Sequence, residues 1–287
     1  MLIDLTRKTL KPDHLEWCKE LFEKVININK KEDRVYHISQ QQCSLLNSFQ
    51  ENRANIIKTY RCAGISTLMY VNTAYNMLYN DKNDEYKELY IYDSEGAARN
   101  AIDKFLSIID VCSEYVYLLS KNRKSIQFRF ENKKSMVRFI SQSEADKDVL
   151  TEQYDLVNIE NAAWIKNERI TKDLPDTLKR NKSRVNISST PHTENGFFYD
   201  IWKMTISGGG HFKPTSMKWY LDPNFNKELR ASSGLLGYQV SDIGMICEAL
   251  EHGDMLTNKW YEERKALCGS SYISEIDGDF VDRYPSY

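Results

Sequence analysis

The stretch "NIIKTYRCAGISTL", Asn55 to Leu68, decides the fold because it changes from a strand pattern to a helix pattern across one small turn. Apolar β-branched residues come first, and a turn containing Gly64 leads into Ser66, Thr67 and a helical run. A phosphate-binding loop of this type places a lysine directly before the Ser-Thr pair, whereas here Ile65 occupies that position. The stretch is therefore a differently wired phosphate loop or an ordinary strand-to-helix turn, and one glycine does not decide between them.

The chemistry of such a turn favours the binding of an anion. Unpaired backbone N–H groups and the positive end of a helix dipole point out of it, so residues 62–66 are the candidate cradle for phosphates. Ser66 or Thr67 is then the candidate ligand for Mg²⁺. The missing cation is expected from upstream, either from Lys58 at the end of the strand or from Arg61 inside the turn. In the alternative interpretation, the serine only caps the helix.

Apolar strand patterns alternate with helical patterns along most of the chain, and this alternation predicts an α/β fold with a mostly parallel central sheet flanked by helices. The strand patterns lie at residues 54–59, 88–93, 125–130, 135–140, 154–160 and 183–189. The helical patterns lie at residues 13–27, 67–79, 95–109, 197–206 and 257–268.

Composition restricts the classes of function. The 287 residues are 41% apolar, which is enough for a substantial core, and 39 basic against 41 acidic residues give a net charge of -2. No whole-molecule basic field exists to hold nucleic acid, so any DNA contact must come from local patches. The six cysteines lack CxxC and CxxH spacings, which argues against a zinc site and fits reduced thiols in a cytoplasm. No secretory signal and no apolar run long enough for a membrane helix is found, so we expect no membrane partner.

A second stretch, "YDLVNIENAAWI" from Tyr154 to Ile165, reads as a buried strand that ends in a carboxylate. P-loop ATPases place there the acid that holds Mg²⁺ and, beside it, the acid that orients water. Glu160 suits the first role, and Asn161 occupies the second position although an amide cannot accept a proton. The alternative interpretation is a strand and its turn without a metal.

A third stretch is more specific: "SSTPHTENGFFYDIWKMTISGGGHFKPTSMKWYLDP", Ser188 to Pro223. Its Ser/Thr-rich strand end, Thr-Pro, Phe-Tyr-Asp-x-Trp helix and following Trp-bearing strand resemble the large terminase subunits of tailed bacteriophages. The resemblance covers roughly residues 36 to 280. It implies an α/β P-loop NTPase fold that binds ATP and Mg²⁺. Gln42 matches the adenine-contacting glutamine of that family, although a glutamine in "SQQQC" is also consistent with a solvated side chain.

The resemblance also implies roles for single residues. Some terminases carry a deviant loop with its lysine at the start, and Lys58 matches that lysine, which would contact the β- and γ-phosphates. Arg61 matches the loop arginine thought to act as a finger in cis, within a loop that also contains Gly64 and Thr67. The other matches are Ser66 on Mg²⁺, Glu160 in place of the usual aspartate on the metal, and Ser188, Ser189 and Thr190 in the segment that couples nucleotide to DNA. Asn161 replaces the catalytic glutamate, so nucleotide binding is expected to persist and turnover is expected to be slow or lost.

The expected organisation is an N-terminal helical segment at residues 1–35, a terminase-like ATPase domain at residues 36–280 and a tail or linker at residues 281–287. The segment "SSYISEIDGDF", Ser270 to Phe280, resembles the part of a terminase just before its nuclease domain, which we expect to be absent or carried by another chain. Glu275, Asp277 and Asp279 are therefore not predicted to form the nuclease metal site. We expect them to form a solvated face.

Two functions remain open. The first is the ATPase motor of a viral DNA-packaging terminase, with duplex DNA, the portal protein, the small terminase subunit and a homo-oligomeric ring as partners, in the host cytoplasm at the procapsid portal. The second is a catalytically impaired terminase-like subunit that binds nucleotide or DNA in a structural or regulatory role. Basic runs at residues 121–124 and 179–184 are the candidates for DNA phosphate contact, and both are also consistent with solvated loops. A Rossmann-type dinucleotide binder is disfavoured because no GxGxxG follows a strand.

Overall fold

Alternating apolar side chains along the strands place cores on both faces of the central sheet. Ile56 and Leu89 belong to one core, whereas their chain neighbours Ile57 and Tyr90 belong to the other. Because successive side chains of a strand point to opposite faces, strands buried on both sides are apolar along most of their length. The computed structural model describes residues 11–28, 35–80, 85–112, 116–122, 124–130, 133–145, 152–168, 170, 182–233 and 236–281.

Seven helices lie within these ranges. They are α1 (His14–Ile28), α2 (Gln40–Glu51), α3 (Ile65–Tyr79), α4 (Glu95–Val111), α5 (Phe197–Ile206), α6 (Ile243–Glu251) and α7 (Lys259–Cys268). No helix in the described part of the chain is both long enough and apolar enough to cross a membrane.

The central sheet has eight strands in the order β3-β4-β5-β2-β6-β7-β1-β8. They are β1 (Ala54–Lys58), β2 (Tyr86–Tyr92), β3 (Val116–Lys121), β4 (Ser125–Phe130), β5 (Lys133–Ser141), β6 (Leu156–Ile159), β7 (Arg184–Ser189) and β8 (Lys213–Ser216). β4 runs antiparallel to both of its neighbours, and the other adjacent pairs are parallel. The prediction of a mostly parallel sheet flanked by helices is thus confirmed.

A small antiparallel sheet lies C-terminal to β8. It consists of β9 (Arg230–Ser233), β10 (Leu236–Gln239) and β11 (Met255–Thr257), with β9 in the centre. Its buried side chains, Ala231 and Leu256 among them, belong to the same core as helices α1 to α4. These strands are not predicted from the sequence, because three or four residues are too few for a periodic pattern.

Helix α1 packs into the same core as helices α2 to α4. Trp17, Cys18, Leu21 and Phe22 are buried on one face of the helix, as its predicted amphipathic pattern requires. Burial of such a face stabilises a helix far more than its intrinsic propensity does. The division of the chain after residue 35 therefore stays a prediction, and residues 282–287 of the predicted tail lie outside the described ranges.

Candidate functional site

Three adjacent parallel strands, β1, β7 and β6, end at the same edge of the sheet and open a cleft of about 500 Å³. The strand ends are joined by a backbone hydrogen bond of 3.1 Å from Thr59 N to the carbonyl of Ser189. Ligands of open parallel sheets bind at such carboxyl ends. The residues that line the cleft are Thr59 to Thr67, Asp93, Lys104, Glu160, Asn161, Trp164, Ser188 to Thr190, and Glu275.

Most of the predicted site residues meet in this cleft. The lining includes the loop residues Arg61, Gly64, Ser66 and Thr67, the strand-end residues Glu160 and Asn161, and the coupling residues Ser188, Ser189 and Thr190. Gln42 and Lys58 are not among the described residues that line it.

The loop between β1 and α3 contains two residues in the left-handed conformation. Cys62 has φ 71° and Gly64 has φ 73°, and helix α3 begins directly afterwards at Ile65. In the described structure, no side chain caps the start of α3. The first N–H groups of a helix lack partners within the helix, so this uncapped turn can receive an anion. Ile65 is only 6% exposed and packs into the core, which accounts for an apolar residue where a phosphate loop usually has lysine.

A glycine is required at position 64 both by the backbone conformation and by the lack of room for a side chain. A Cβ at this position would lie 3.2 Å from Gln42 Nε2 and 3.2 Å from Phe22 Cζ, and the left-handed φ is unfavourable for other residues. The loop is thus held tightly against α1 and α2.

Gln42 holds the loop from behind. Its Nε2 donates to the carbonyl of Ala63 at 2.8 Å, and its Oε1 accepts from the backbone N–H of Ser39 at 2.8 Å. The residue is buried, so the interpretation as a solvated side chain is wrong. It forms a capping box with Ser39 at the start of α2. Its contact with adenine stays a prediction.

Ser66 and Glu160 come together at the centre of the cleft. The Ser66 hydroxyl donates to Glu160 Oε2, and the Tyr92 hydroxyl donates to Glu160 Oε1 at 2.9 Å. Glu160 is buried, and burial raises the pKa of its carboxyl, an effect that hydrogen bonds from Ser66, Tyr92 and Tyr70 oppose. A buried carboxyl with a raised pKa at a strand end is typical of functional sites.

The donor set fits a hard divalent cation. A hydroxyl oxygen and a carboxylate oxygen in contact are the ligand types that Mg²⁺ prefers, and Mg²⁺ usually takes few protein ligands while phosphates and waters fill the remaining positions. Ser66 and Glu160 are the residues that would hold it.

Lys58 lies at the end of β1, but its ammonium group contacts residues that are not among those lining the cleft. Nζ lies 3.1 Å from Asp279 Oδ1 and over the rings of Trp202 and Phe280, at 5.4 and 5.8 Å from their centroids. Burial lowers the pKa of the ammonium, whereas Asp279 raises it. The predicted contact of Lys58 with phosphates therefore requires its side chain to exchange partners, and it stays a prediction.

Arg61 is held by the same C-terminal segment. Its guanidinium forms an ion pair with Glu275, and its backbone N–H donates to the Glu275 carbonyl. The hydrogen bond from the guanidinium to the Glu275 side chain, together with the attraction between their charges, raises the pKa of Arg61. Glu275 lies in a short π-helical turn, Ile273–Asp277.

The acidic residues of this segment do not simply form the solvated face that the sequence analysis predicts. Asp279 pairs with Lys218 at 3.3 Å as well as with Lys58, and the Lys218 ammonium also donates to the carbonyl of Asp277. Burial raises the pKa of the Asp277 carboxyl to about 6. The C-terminal segment at residues 273–279 therefore lies across the end of β1 and pairs with both Lys58 and Arg61.

Asn161 occupies a left-handed conformation with φ 54° and donates through Nδ2 to Asp93 Oδ1 at 2.7 Å. Asp93 directly follows β2, the neighbour of β6 on the side away from β7. Neither Asp93 nor Lys104, which lies on α4, is among the site residues predicted from the sequence. A carboxylate after a buried strand is the signal that singled out Glu160, and it would have found Asp93 as well.

Two of the three residues predicted to couple nucleotide to DNA contact neighbouring elements. The Ser189 hydroxyl accepts from the backbone N–H of Ala163 at 3.1 Å, and the Ser188 hydroxyl contacts the Met69 sulfur of α3 at 3.7 Å. The end of β7 therefore contacts both the segment that follows Glu160 and helix α3. Their role in coupling stays a prediction.

The basic runs are only partly described, since residues 123 and 179–181 lie outside the described ranges. Within the run at 121–124, Lys121 pairs with Asp103 at 3.7 Å and Lys124 pairs with Glu144 at 2.6 Å. In the other run, the guanidinium of Arg184 donates to the carbonyl of Phe49. These pairings leave less charge for DNA than the sequence suggests.

Solved structures of phage large terminases share this fold. The ATPase domain from Thermus phage P74-26 has a TM-score of 0.60 at 16% identity, over 86% of this chain and 95% of that chain. The HK97 bacteriophage large terminase has a TM-score of 0.60 at 11% identity, over 93% of this chain and 55% of that chain. The large terminase of a thermophilic bacteriophage, in complex with ADP, has a TM-score of 0.57 at 12% identity, over 85% of this chain and 53% of that chain.

These likenesses confirm the α/β fold of large terminase ATPase domains. The chain spans about half the length of the HK97 terminase and of the terminase solved with ADP. No protein-family model matches the sequence, and no curated protein matches it.

Proposed function

We propose that this chain is the ATPase motor domain of a viral DNA-packaging terminase, which binds ATP with Mg²⁺ and couples it to translocation of duplex DNA. The observation that carries the proposal is the contact between the Ser66 hydroxyl and the Glu160 carboxylate, beside the uncapped start of α3. A nucleotide-bound Mg²⁺ requires a hydroxyl from the loop and an acid from a nearby strand. Here the acid follows β6, which is separated from β1 by β7. The terminase-like fold supports the same assignment.

In this proposal, the N–H groups at the start of α3 bind the phosphates. Gln42 fixes the Ala63 carbonyl and thereby the direction of the following N–H groups. Tyr92 orients the Glu160 carboxylate toward Ser66. Bound Mg²⁺ supplies charge neutralisation at the β- and γ-phosphate oxygens. Arg61 and Lys58 add positive charge once phosphate replaces their carboxylate partners.

Coupling is proposed to run through the Ser189 hydroxyl. Because it accepts from Ala163 N–H, a shift of the segment after Glu160 pulls on the end of β7. The proposed partners are duplex DNA, the portal protein, the small terminase subunit and further copies of this chain in a ring, in the host cytoplasm at the procapsid portal. A motor that must move any sequence needs phosphate contacts and no base readout.

Two observations favour the alternative, a catalytically impaired terminase-like subunit. Asn161 replaces the glutamate that the resemblance leads us to expect, and Lys58 is paired outside the cleft lining. In that case the chain binds nucleotide or DNA without hydrolysing ATP, and its contribution to the assembly is structural or regulatory.

The test is an equilibrium titration with a fluorescent ATP analogue, with and without Mg²⁺, followed by steady-state phosphate release with ATP. Ser66→Ala is expected to lower the Mg²⁺-dependent affinity about tenfold, about 1.4 kcal/mol. Ser207→Ala is the matched control, since Ser207 is an exposed serine at the end of α5. Binding with phosphate release supports the motor, and binding without release supports the alternative. Absence of Mg²⁺-dependent binding contradicts the motor and leaves only the DNA-binding form of the alternative.

A further inference from the structure

The cleft contains a carboxylate beside Asn161, the position after β6 at which the resemblance leads us to expect a glutamate. Asp93 Oδ1 lies 2.7 Å from Asn161 Nδ2. Because β2 and β6 are adjacent and parallel, the residues that follow them meet at the same edge of the sheet. A carboxylate that follows β2 therefore lies beside residue 161, where an amide follows β6.

Among the described residues, the cleft lining contributes three carboxylates, and two of them have other partners. Glu160 accepts from Ser66 and Tyr92, and Glu275 is paired with Arg61. Asp93 accepts instead from a neutral amide. A carboxylate has about four acceptor positions, so the bond from Asn161 leaves Asp93 able to accept from a water molecule as well.

The position of Asp93 is fixed by the backbone around it. Its carbonyl accepts from Gln142 Nε2 at 2.7 Å, and the same Nε2 lies 3.2 Å from the carbonyl of Trp164. Gln142 thus joins the end of β2 to the segment that follows Glu160. The backbone of Asp93 is consequently held from behind, as the placement of a reacting group requires.

Asn161 is suited to a positioning role. Its left-handed φ of 54° is readily adopted by asparagine because its short polar side chain tolerates that region. Its amide holds Asp93 without adding a second charge to the cleft. A glutamate at this position would meet both backbone strain and repulsion from Asp93.

We infer that Asp93 is the general base of the reaction and that Asn161 positions it, an inference that rests on the proposed function. The oxygen of a water molecule forms a bond to the γ-phosphorus, while the bond from that phosphorus to the β,γ-bridging oxygen breaks. ADP leaves with the electron pair of the broken bond. One proton of the water passes to the Asp93 carboxylate and from there to solvent, and the other stays on the phosphate.

The inference reverses an expectation from the sequence. With Asn161 at the position of the base, Asn161→Glu would raise hydrolysis. With Asp93 as the base, the same substitution lowers it, because it removes the bond that orients Asp93 and places a like charge beside it.

The test separates binding from chemistry. Affinity for Mg²⁺ and a fluorescent ATP analogue is measured by titration, and single-turnover hydrolysis of bound radiolabelled ATP is measured by chemical quench with the protein in excess. The variants are Asp93→Asn, Asp93→Glu and Asn161→Ala, with Asp103→Asn as the control. Asp103 is an exposed aspartate on α4 that pairs with Lys121.

Asp93→Asn is expected to keep the wild-type affinity within about threefold and to slow single-turnover hydrolysis about 100-fold or more, so that ATP and not ADP is recovered from the complex. Asp93→Glu should retain a measurable part of the rate, Asn161→Ala should slow hydrolysis with little change in affinity, and Asp103→Asn should resemble the wild type. Hydrolysis by Asp93→Asn within tenfold of the wild-type rate overturns the inference, and so does loss of affinity together with rate in that variant. A wild-type chain that binds ATP without hydrolysing it overturns the inference alone, whereas a chain that does not bind ATP overturns the proposed function too.

Discussion

Lys58 and Asp279 form an ion pair of 3.1 Å although 221 positions separate them in the chain. The lysine side chain is 12% exposed, so its charge is largely removed from water and interacts with Asp279 and the faces of two aromatic rings. A buried ammonium needs such compensation, since burial alone lowers its pKa. The C-terminal segment therefore competes with any phosphate for the lysine that the resemblance assigns to the loop.

Removal of the Asp279 charge is expected to strengthen nucleotide binding. In Asp279→Asn the phosphates no longer compete with a carboxylate for Lys58, and the affinity for Mg²⁺ and a fluorescent ATP analogue should rise roughly three- to fivefold. The gain is modest because the Asp279 side chain is 54% exposed and partly screened by solvent.

Two comparisons control this prediction. Glu263→Gln removes the same charge from an exposed pair on α7 and should leave the affinity unchanged. Lys58→Ala should lower affinity about tenfold, and Asp279→Asn should have no further effect in that background. An unchanged affinity in Asp279→Asn would show that Lys58 does not contact the phosphates.

As the pH is lowered, the Mg²⁺-dependent part of the nucleotide affinity is expected to fall at a higher pH than it would with an ordinary glutamate as the metal ligand. Burial raises the pKa of Glu160 above the usual 4.5, so a proton competes with the metal at pH values where an exposed glutamate is ionised. The contribution is complete well above the raised pKa and is lost as the pH falls through it. Titrations with and without Mg²⁺ at a series of pH values measure it. A contribution that stays constant until the pH approaches 4.5 would be inconsistent with this role of Glu160, and Glu160→Gln should bind with no such pH dependence.

Gly64→Ala is expected to impair nucleotide binding through the shape of the loop. The substitution adds a methyl group 3.2 Å from Phe22 Cζ and Gln42 Nε2 and forces a left-handed alanine. Gly253→Ala is the matched control because Gly253 has φ 77° and no atom within 4 Å of the added Cβ. Each substitution should lower the free energy of unfolding by about 1 to 2 kcal/mol through the backbone alone. Only Gly64→Ala should weaken nucleotide binding, and equal affinities for the two variants would count against the loop as the phosphate site.

The isolated chain is expected to be a monomer that binds duplex DNA weakly. A net charge of -2 supplies little attraction, and the described lysines of the run at 121–124 are paired with acids. The affinity should fall steeply with salt because the contacts are to phosphates. Fluorescence anisotropy of a labelled duplex at several salt concentrations, together with size-exclusion chromatography, measures both properties. Tight binding that is insensitive to salt would contradict the prediction.

The main elements of the fold follow from the sequence because their patterns are long. The predicted helix at residues 197–206 has the observed bounds of α5, and the strand at residues 125–130 coincides with β4. Helix α2 was missed because its apolar residues show a weak period. Its capping box of Ser39 and Gln42 was the available signal.

The candidate site is predictable where a residue ends a strand or begins a helix. Glu160 and Ser66 lie at such positions, and their contact follows from the order of the parallel strands. The partners of Lys58 are not predictable, because a sequence pattern contains no information about a carboxylate 221 positions away. The same holds for Asn161 and Asp93, which belong to different strands.

The central claim, that phosphates bind at the loop between β1 and α3, is tested most directly by the reactivity of Cys62. This exposed cysteine lines the cleft at the loop, and the exposed Cys247 on α6 serves as an internal control in the same molecule. Alkylation of each thiol by a maleimide is followed over time by mass spectrometry, with and without ATP and Mg²⁺. We expect nucleotide to slow alkylation of Cys62 about tenfold or more at saturating concentration and to leave the rate at Cys247 unchanged. Equal alkylation rates of Cys62 with and without bound nucleotide would contradict the account.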